Sequence, residues 1–320
     1  RAEWLDLRCP TCKHPYRGEV GAFLGRVGLA RIEEACGAES LQVAVMLNNL
    51  ACAHGKFGEY RQSKVLLERA LHINERVFGP EHVEVAVTLN NLASAHGELG
   101  DYRASRALLE RALAIKERAY GKDHIEVAST LDNLASAHCD LGDYRQSKAL
   151  LDRALGIKER EFGQDHLEVA GTLHNLASTH GELGDYVRSK ELLERALAIQ
   201  EREFGRDHVE VASTLHNLAT AVRDLGHYRQ AKALLERSLA IKEREFGSDQ
   251  VEVARTLNTL AGAHSDLGDY RRAKALIERA LEIEAREFGQ DHVEVAATTT
   301  CLANIYGELG EYALAKDLLE

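Results

Sequence analysis

"LNNLASAHGELGDYRASRALLERALAIKERAYG" occupies Leu89 to Gly121, and a near copy, "LDNLASAHCDLGDYRQSKALLDRALGIKEREFG", occupies Leu131 to Gly163. Tyr60, Tyr102, Tyr144, Tyr186, Tyr228, Tyr270 and Tyr312 each stand 42 residues apart. Gly58, Gly100, Gly142, Gly184, Gly226, Gly268 and Gly310 keep the same beat two positions earlier, and Gly79 to Gly289 mark a second fixed point. A constant period in this range is the mark of stacked structural units, because one unit cannot bury its own apolar surface. Seven copies are visible, the last cut short.

Each copy reads as two helices. In the second copy, helix A runs from about His82 to Glu98, with Val85, Leu89, Leu92, Ala93 and Ala95 at three- and four-residue steps. Gly100 supplies the left-handed residue that ends it. Asp101 then caps helix B, Tyr102 to about Ala119, whose apolar stripe is Leu108, Leu109, Ala112, Leu113 and Ile115. The next copy opens with an acid three residues before a glutamate (Asp123 and Glu126, Asp165 and Glu168, Asp207 and Glu210), the spacing of a capping box. The short A–B connection makes the pair antiparallel. The expected fold is all-α, a superhelical solenoid of antiparallel helix pairs with an inner and an outer wall.

Bulk composition agrees. Hydrophobic residues at 45% and charged residues at 28% suit an ordered chain, and three prolines leave helices uninterrupted. A net charge of −11 disfavours nucleic acid as a general partner, and no apolar run reaches membrane-spanning length, so no membrane partner is expected. Six cysteines without a disulfide-type spacing suggest a reducing, cytoplasmic setting. The chain opens at Arg1 and stops within a patterned segment, "AKDLLE", and so reads as a piece of a longer one.

The pattern Leu89, Leu92, Ala93, Gly100, Tyr102, Leu109 and Ala112 resembles the tetratricopeptide repeat (TPR). The 42-residue period and the "FGRDHVEVA" connection, Phe204 to Ala212, are similar to the repeats of kinesin light chains and their relatives, including repeats attached to signalling ATPases. The resemblance covers residues 39–320. It implies a scaffold or adaptor that binds extended peptide segments of partner proteins on a concave face, with no catalysis, no small-molecule substrate and no cofactor in the repeats. No heptad coiled coil of the kinesin light chain kind precedes them. The Lys and Asn of chaperone-tail-binding TPRs are missing except for Asn304, which disfavours an acidic chaperone tail as ligand.

Mapping the family's groove positions onto helix A gives rows that differ between copies. One row reads Asn48, Asn90, Asp132, His174, His216, Asn258, Thr300; it is polar throughout and drifts, as a ligand-reading surface would. The next is small and includes Ser94, Ser136 and Ser178, which would let a bound backbone approach closely. An acidic row (Glu98, Asp140, Glu182, Asp224, Asp266, Glu308) and an arginine row (Arg76 to Arg286) are expected to pair with each other along the edge. Asn49, Asn91, Asn133, Asn175 and Asn217 barely change, and are expected to make an interhelical bond common to every copy. His54, His96, His138, His180 and His264 share one position, but successive copies lie too far apart to share a zinc ion bound at about 2 Å; they are expected to pack.

The first forty residues break the period. Trp4, Cys9, Cys12 and Tyr16 resemble the closing cysteine pair of a RING or RING-CH zinc finger, with Cys9 and Cys12 as half of a zinc site. Either residues 1–18 are the end of such a finger, which would make the parent chain a RING-type ubiquitin ligase whose repeats select substrate, or the CPTC stretch is a chance match. Residues 19–38 are expected to form a linker and capping helix over the first repeat.

Overall fold

The computed structural model describes residues 18–319. Among them are fifteen helices and no strand, and every complete copy is a 16-residue helix A followed by a 19-residue helix B. The chain divides into two compact units, Arg1–Glu161 and Phe162–Glu320.

The first unit holds α1 (Gly18–Cys36), α2 (Leu41–Lys56), α3 (Tyr60–Phe78), α4 (Val83–Glu98), α5 (Tyr102–Tyr120), α6 (Ile125–Asp140) and nearly all of α7 (Tyr144–Phe162). Each A helix packs on its own B helix and on the B helix before it. Within a copy, Val85, Ala86 and Leu89 of α4 close on Ala112 and Ile115 of α5. Between copies, Ala93 and Leu109 close on Leu134 and Ala137 of α6. Leu109 is only 2% exposed, so deleting its side chain would cost roughly 2–5 kcal/mol. The expected helix over residues 19–38 is α1, which packs on α2. Gly25 and Gly28 let it do so: a Cβ at either would stand 2.5 Å from Leu50 or 2.7 Å from Met46.

The second unit holds α8 (Leu167–Glu182), α9 (Tyr186–Phe204), α10 (Val209–Asp224), α11 (Tyr228–Phe246), α12 (Val251–Asp266), α13 (Tyr270–Phe288), α14 (Val293–Glu308) and α15 (Tyr312–Leu319), stacked by the same rule.

The connections explain the repeated letters. Gly100 adopts φ +78° after α4 and Gly121 φ +91° after α5, conformations that a side chain would strain. Asp101 caps α5 with its Oδ1, accepting from the Ala104 N–H, while its Oδ2 meets His96 Nδ1 at 3.2 Å. The row of shared histidines thus braces the A–B turn from a nearly buried position, His96 being 9% exposed. The fifth copy changes both partners together, to Val222 and His227.

One expectation is corrected at the other connection. The cap of α4, α6, α8, α10 and α14 is not the acid of the anticipated capping box but the histidine one residue on. Nδ1 of His82, His124, His166, His208 and His292 accepts the N–H two residues later at 3.2 Å. Each ring also stacks on the aromatic residue that ends the preceding B helix, as Phe204 does on His208 with centroids 4.7 Å apart. Gln250 breaks the series and caps nothing with its side chain.

The arginine row does not pair with the acidic row of helix A either. Arg286 donates to the Asp249 carbonyl at 2.7 Å, and the others reach the loop opening their own copy in the same way. A second invariant arginine ties successive copies: Arg111 bonds the Glu75 carboxylate at 2.7 Å and the Pro80 carbonyl at 3.0 Å, and Arg279 repeats this on Glu243 and Ser248. The acidic row is thereby left without the arginines.

Candidate functional site: pockets between consecutive A helices

Along the A helices, side chains at neighbouring positions point to different surroundings. Asn48, Asn90, Asp132, His174, His216 and Asn258 are half-buried and engaged inside the stack. Asn90 Nδ2 donates to Thr130 Oγ1 at 3.1 Å, and Asn258 Nδ2 to Thr298 Oγ1 at 2.9 Å, each crossing to the next A helix. Asn48 reaches Thr88 at 3.5 Å and Ala44 O at 3.1 Å. His174 lies 2.7 Å from Asn217 Nδ2, and His216 3.4 Å from Thr259.

In two copies the drifting residue has a partner 26 residues on, in a buried position of helix B. Asp132 pairs with Lys158 at 2.7 Å, and Asn258 donates to Glu284 at 2.9 Å. The partner row reads Asn74, Lys116, Lys158, Gln200, Lys242, Glu284. Where Asp132 faces Lys158 and Asn258 faces Glu284, the two rows change together, a signal in the sequence that lies outside helix A. Burial dictates the electrostatics here: desolvation lowers the Lys116 and Lys242 ammonium groups and the His174 imidazole. His216, desolvated and beside Lys242 and Arg255, is pushed down to about 4 and is neutral at pH 7.

Ser94, Ser136 and Ser178 lie instead on the open face and are exposed. Ser94 and Ser136 are brought to one pocket, and Ser178 lines its counterpart in the second unit. The first pocket, about 380 Å³, lies where Gly97, Glu98, Tyr102 and Ser105 of one copy meet Asn133 and Asp140 of the next. The counterpart, about 420 Å³, has Gly181, Glu182, Tyr186 and Ser189 facing Asn217 and Asp224. A third, about 320 Å³, sits one copy before the first, with Lys56 across from Glu98. The nearly invariant asparagines therefore divide their duties. Asn217 touches the internal row and also lines a pocket, Asn91 donates to Asn48 at 3.4 Å, and Asn133 is exposed.

Burial raises the Asp140 carboxyl, and the nearby Glu98 charge adds to the effect; Asp224 is raised chiefly by burial, with Arg223 opposing and Asp266 adding to it. Glu98 also holds the Tyr60 hydroxyl proton more tightly. The pockets thus combine carboxylates, amides and hydroxyls over an apolar floor, chemistry suited to holding a polar chain by hydrogen bonds and charge.

Among the described residues, no three His, Cys, Asp or Glu side chains gather as metal ligands. The cysteine pair Cys9 and Cys12 and the zinc-finger reading fall outside the described residues. Among those residues, no helix is long and apolar enough to cross a membrane.

Two-helix units stacked by one rule, with polar pockets recurring between their first helices, define a helical-repeat protein. A sequence model of the tetratricopeptide repeat matches residues 42–118, 84–160, 126–199, 168–244 and 252–320, and the chain belongs to that family. Among solved structures, the nearly identical TPR-like repeats of a Podosopora anserina protein put forward as a kinesin light chain match at 25% identity and TM-score 0.56, over 65% of this chain and 99% of that one. BtubC (BKLC) from P. vanneervenii matches at 23% identity and TM-score 0.61, over 72% and 92%. The quorum sensor NprR from B. thuringiensis, in its apo form, matches at 15% identity and TM-score 0.70, over 92% and 82%. The last two likenesses are of fold. Comparison with curated proteins gives no match.

Proposed function

We propose that the protein is a non-enzymatic scaffold that binds an extended segment of a partner protein along the open face of its A helices. The observation that carries this reading is the recurrence of one pocket, built from the same positions, in both units: Ser94, Glu98, Tyr102 and Asp140 in one, Ser178, Glu182, Tyr186 and Asp224 in the other. A repeating surface favours a repeating ligand, and a polypeptide backbone is one. Small side chains at Ser94, Ser136 and Ser178 leave room for it. The residues proposed to meet the ligand are these serines with Asn133, Asn217 and the pocket acids, in preference to the row from Asn48 to Asn258, whose bonds run inside the stack. A cytoplasmic setting and a protein partner, in place of nucleic acid, membrane or small-molecule substrate, belong to the same proposal, in keeping with the acidic charge and with Cys36, Cys52, Cys139 and Cys301, none of which is in a disulfide.

The test is a selection from a random linear peptide library against the full chain, followed by titration of the selected peptides. Ser136→Trp and Ser178→Trp, each an exposed position, fill the pockets and should weaken selected peptides by roughly tenfold or more. Peptides that bind both variants as well as the native chain would show that the ligand sits elsewhere.

A further inference from the structure

We propose that this open face selects cationic segments, with lysine side chains of the partner entering the pocket at Glu98 and Asp140 and the pocket at Glu182 and Asp224. The inference rests on the peptide-binding reading above and adds the chemistry of the ligand. Two carboxylates from consecutive copies face each pocket; among the described residues no basic side chain forms an ion pair with Glu98, Asp140 or Glu182, while Asp224 feels the charge of the adjacent Arg223.

Three observations point the same way. First, each pocket contains a hydroxyl that waits for a partner. Ser105 is 5% exposed and Ser189 4% exposed. Neither Oγ has a hydrogen-bonding partner among the described residues, and each lies beside the glycine of the facing turn, 3.8 Å and 3.9 Å from where a Cβ would stand on Gly97 and Gly181. Each hydroxyl opens into its pocket, where a ligand's donor can reach it. Second, an ammonium group has three donors and no acceptor, which matches one hydroxyl and two carboxylates. Its four-carbon stem would lie against the buried Leu109 or Leu193.

Third, the chain makes the same arrangement with itself. In the fifth copy Arg223 stands where Gly97 and Gly181 stand in theirs. Its guanidinium lies over Gly262, 3.0 Å from where a Cβ would stand, and bonds Asp266, the acid of the next copy. The serine is replaced there by Ala231. In the fifth copy a resident cation occupies the acidic row, and the glycine and the hydroxyl are both gone; the sixth copy, with Ser265 and Ala273, lacks them as well. The third copy also departs: Cys139 replaces the glycine, and its thiol meets Ser147 Oγ at 3.2 Å.

The probes are fluorescein-labelled Gly/Ser peptides of about twelve residues carrying lysines, with glutamine and glutamate versions, titrated against the full chain by anisotropy at low salt. The lysine peptide should bind roughly tenfold more tightly than the glutamine one, and the glutamate peptide should not bind. Replacing the pocket acids together (E98Q, D140N, E182Q and D224N) should remove that preference, and Ser105→Ala with Ser189→Ala should weaken the lysine peptide by a smaller factor, about two- to fivefold. A charge-matched control on exposed helix B positions (E68Q, E110Q, E194Q and E236Q) should leave it within about twofold. If the control weakens binding as much as the pocket variant, the attraction is diffuse and the inference is wrong. If glutamine or glutamate peptides bind as tightly and Ser136→Trp abolishes them, the charge inference fails while the peptide-binding reading survives. If no peptide binds, both fail.

Discussion

Asp132 illustrates how much a single side chain depends on its partner. Its carboxylate and the Lys158 ammonium are 14% and 9% exposed and 2.7 Å apart, where the first copy has Asn48 and Asn74. Asp132→Ala would remove the carboxylate partner of a buried ammonium and should cost about 3 kcal/mol. Asp132→Asn combined with Lys158→Asn installs the residues of the first copy, where Asn48 and Asn74 both donate to Thr88, and should recover most of that loss. A double-mutant cycle by urea unfolding checks this, and purely additive effects would sink the pairing argument. His216 belongs to the same row. Its folded value of about 4 lies below the ordinary 6.5, so as pH falls the unfolded chain takes up the proton first. Its contribution is therefore present above pH 6.5 and is lost between about 6.5 and about 4, on the order of 2–3 kcal/mol. His216→Asn, the residue of Asn90 and Asn258, should flatten stability across that window, as followed by thermal melts at several pH values.

At the scale of the helix, the sequence was read well where the signal is local. The glycines at Gly100 and Gly121, the Asp101 cap and the extents of both helices could be read because each depends on backbone conformation within a few residues. The cap of helix A was misplaced by one residue because a histidine cap needs the aromatic behind it. Phe204 and His208 act as one device, stacking and accepting at once. The sixth copy lacks it: Gln250 follows Phe246 and leaves α12 uncapped by a side chain. Gln250→His should restore both contacts and raise stability by about 0.5–1 kcal/mol, seen as a higher Tm; no change would mean that the ring contributes nothing at that helix start.

At the scale of the chain, the period made the fold legible, whereas the site was legible only in part. Ser94, Ser136 and Ser178 do line pockets, since smallness at an exposed helix position survives translation from pattern to surface. The drifting row did not translate so simply. Periodicity along helix A ranks positions by angle, and a shift of one residue turns a side chain by about 100°, enough to carry Asn90 from the open face to its bond with Thr130. Its buried counterpart on helix B lies 26 residues away, beyond any local window.

A consequence follows for how such an array can change its length. The contacts that cross from copy to copy fall largely on letters that the copies after the first share, the threonines Thr88, Thr130, Thr214, Thr256 and Thr298, and on the arginine–glutamate ties such as Arg111 to Glu75. The individual pairings, Asp132 with Lys158 and Asn258 with Glu284, are confined within one copy. Excising residues 83–124 would then join His82 to Ile125, carry Asn48 to Thr130, and sever no private pairing. Such a shortened chain should remain helical and melt cooperatively at a somewhat lower temperature, by circular dichroism; a loss of cooperative melting would contradict it. Gain or loss of whole copies, as unequal recombination produces, is thus a mutation the stack is built to survive, while point changes inside a copy must come in pairs.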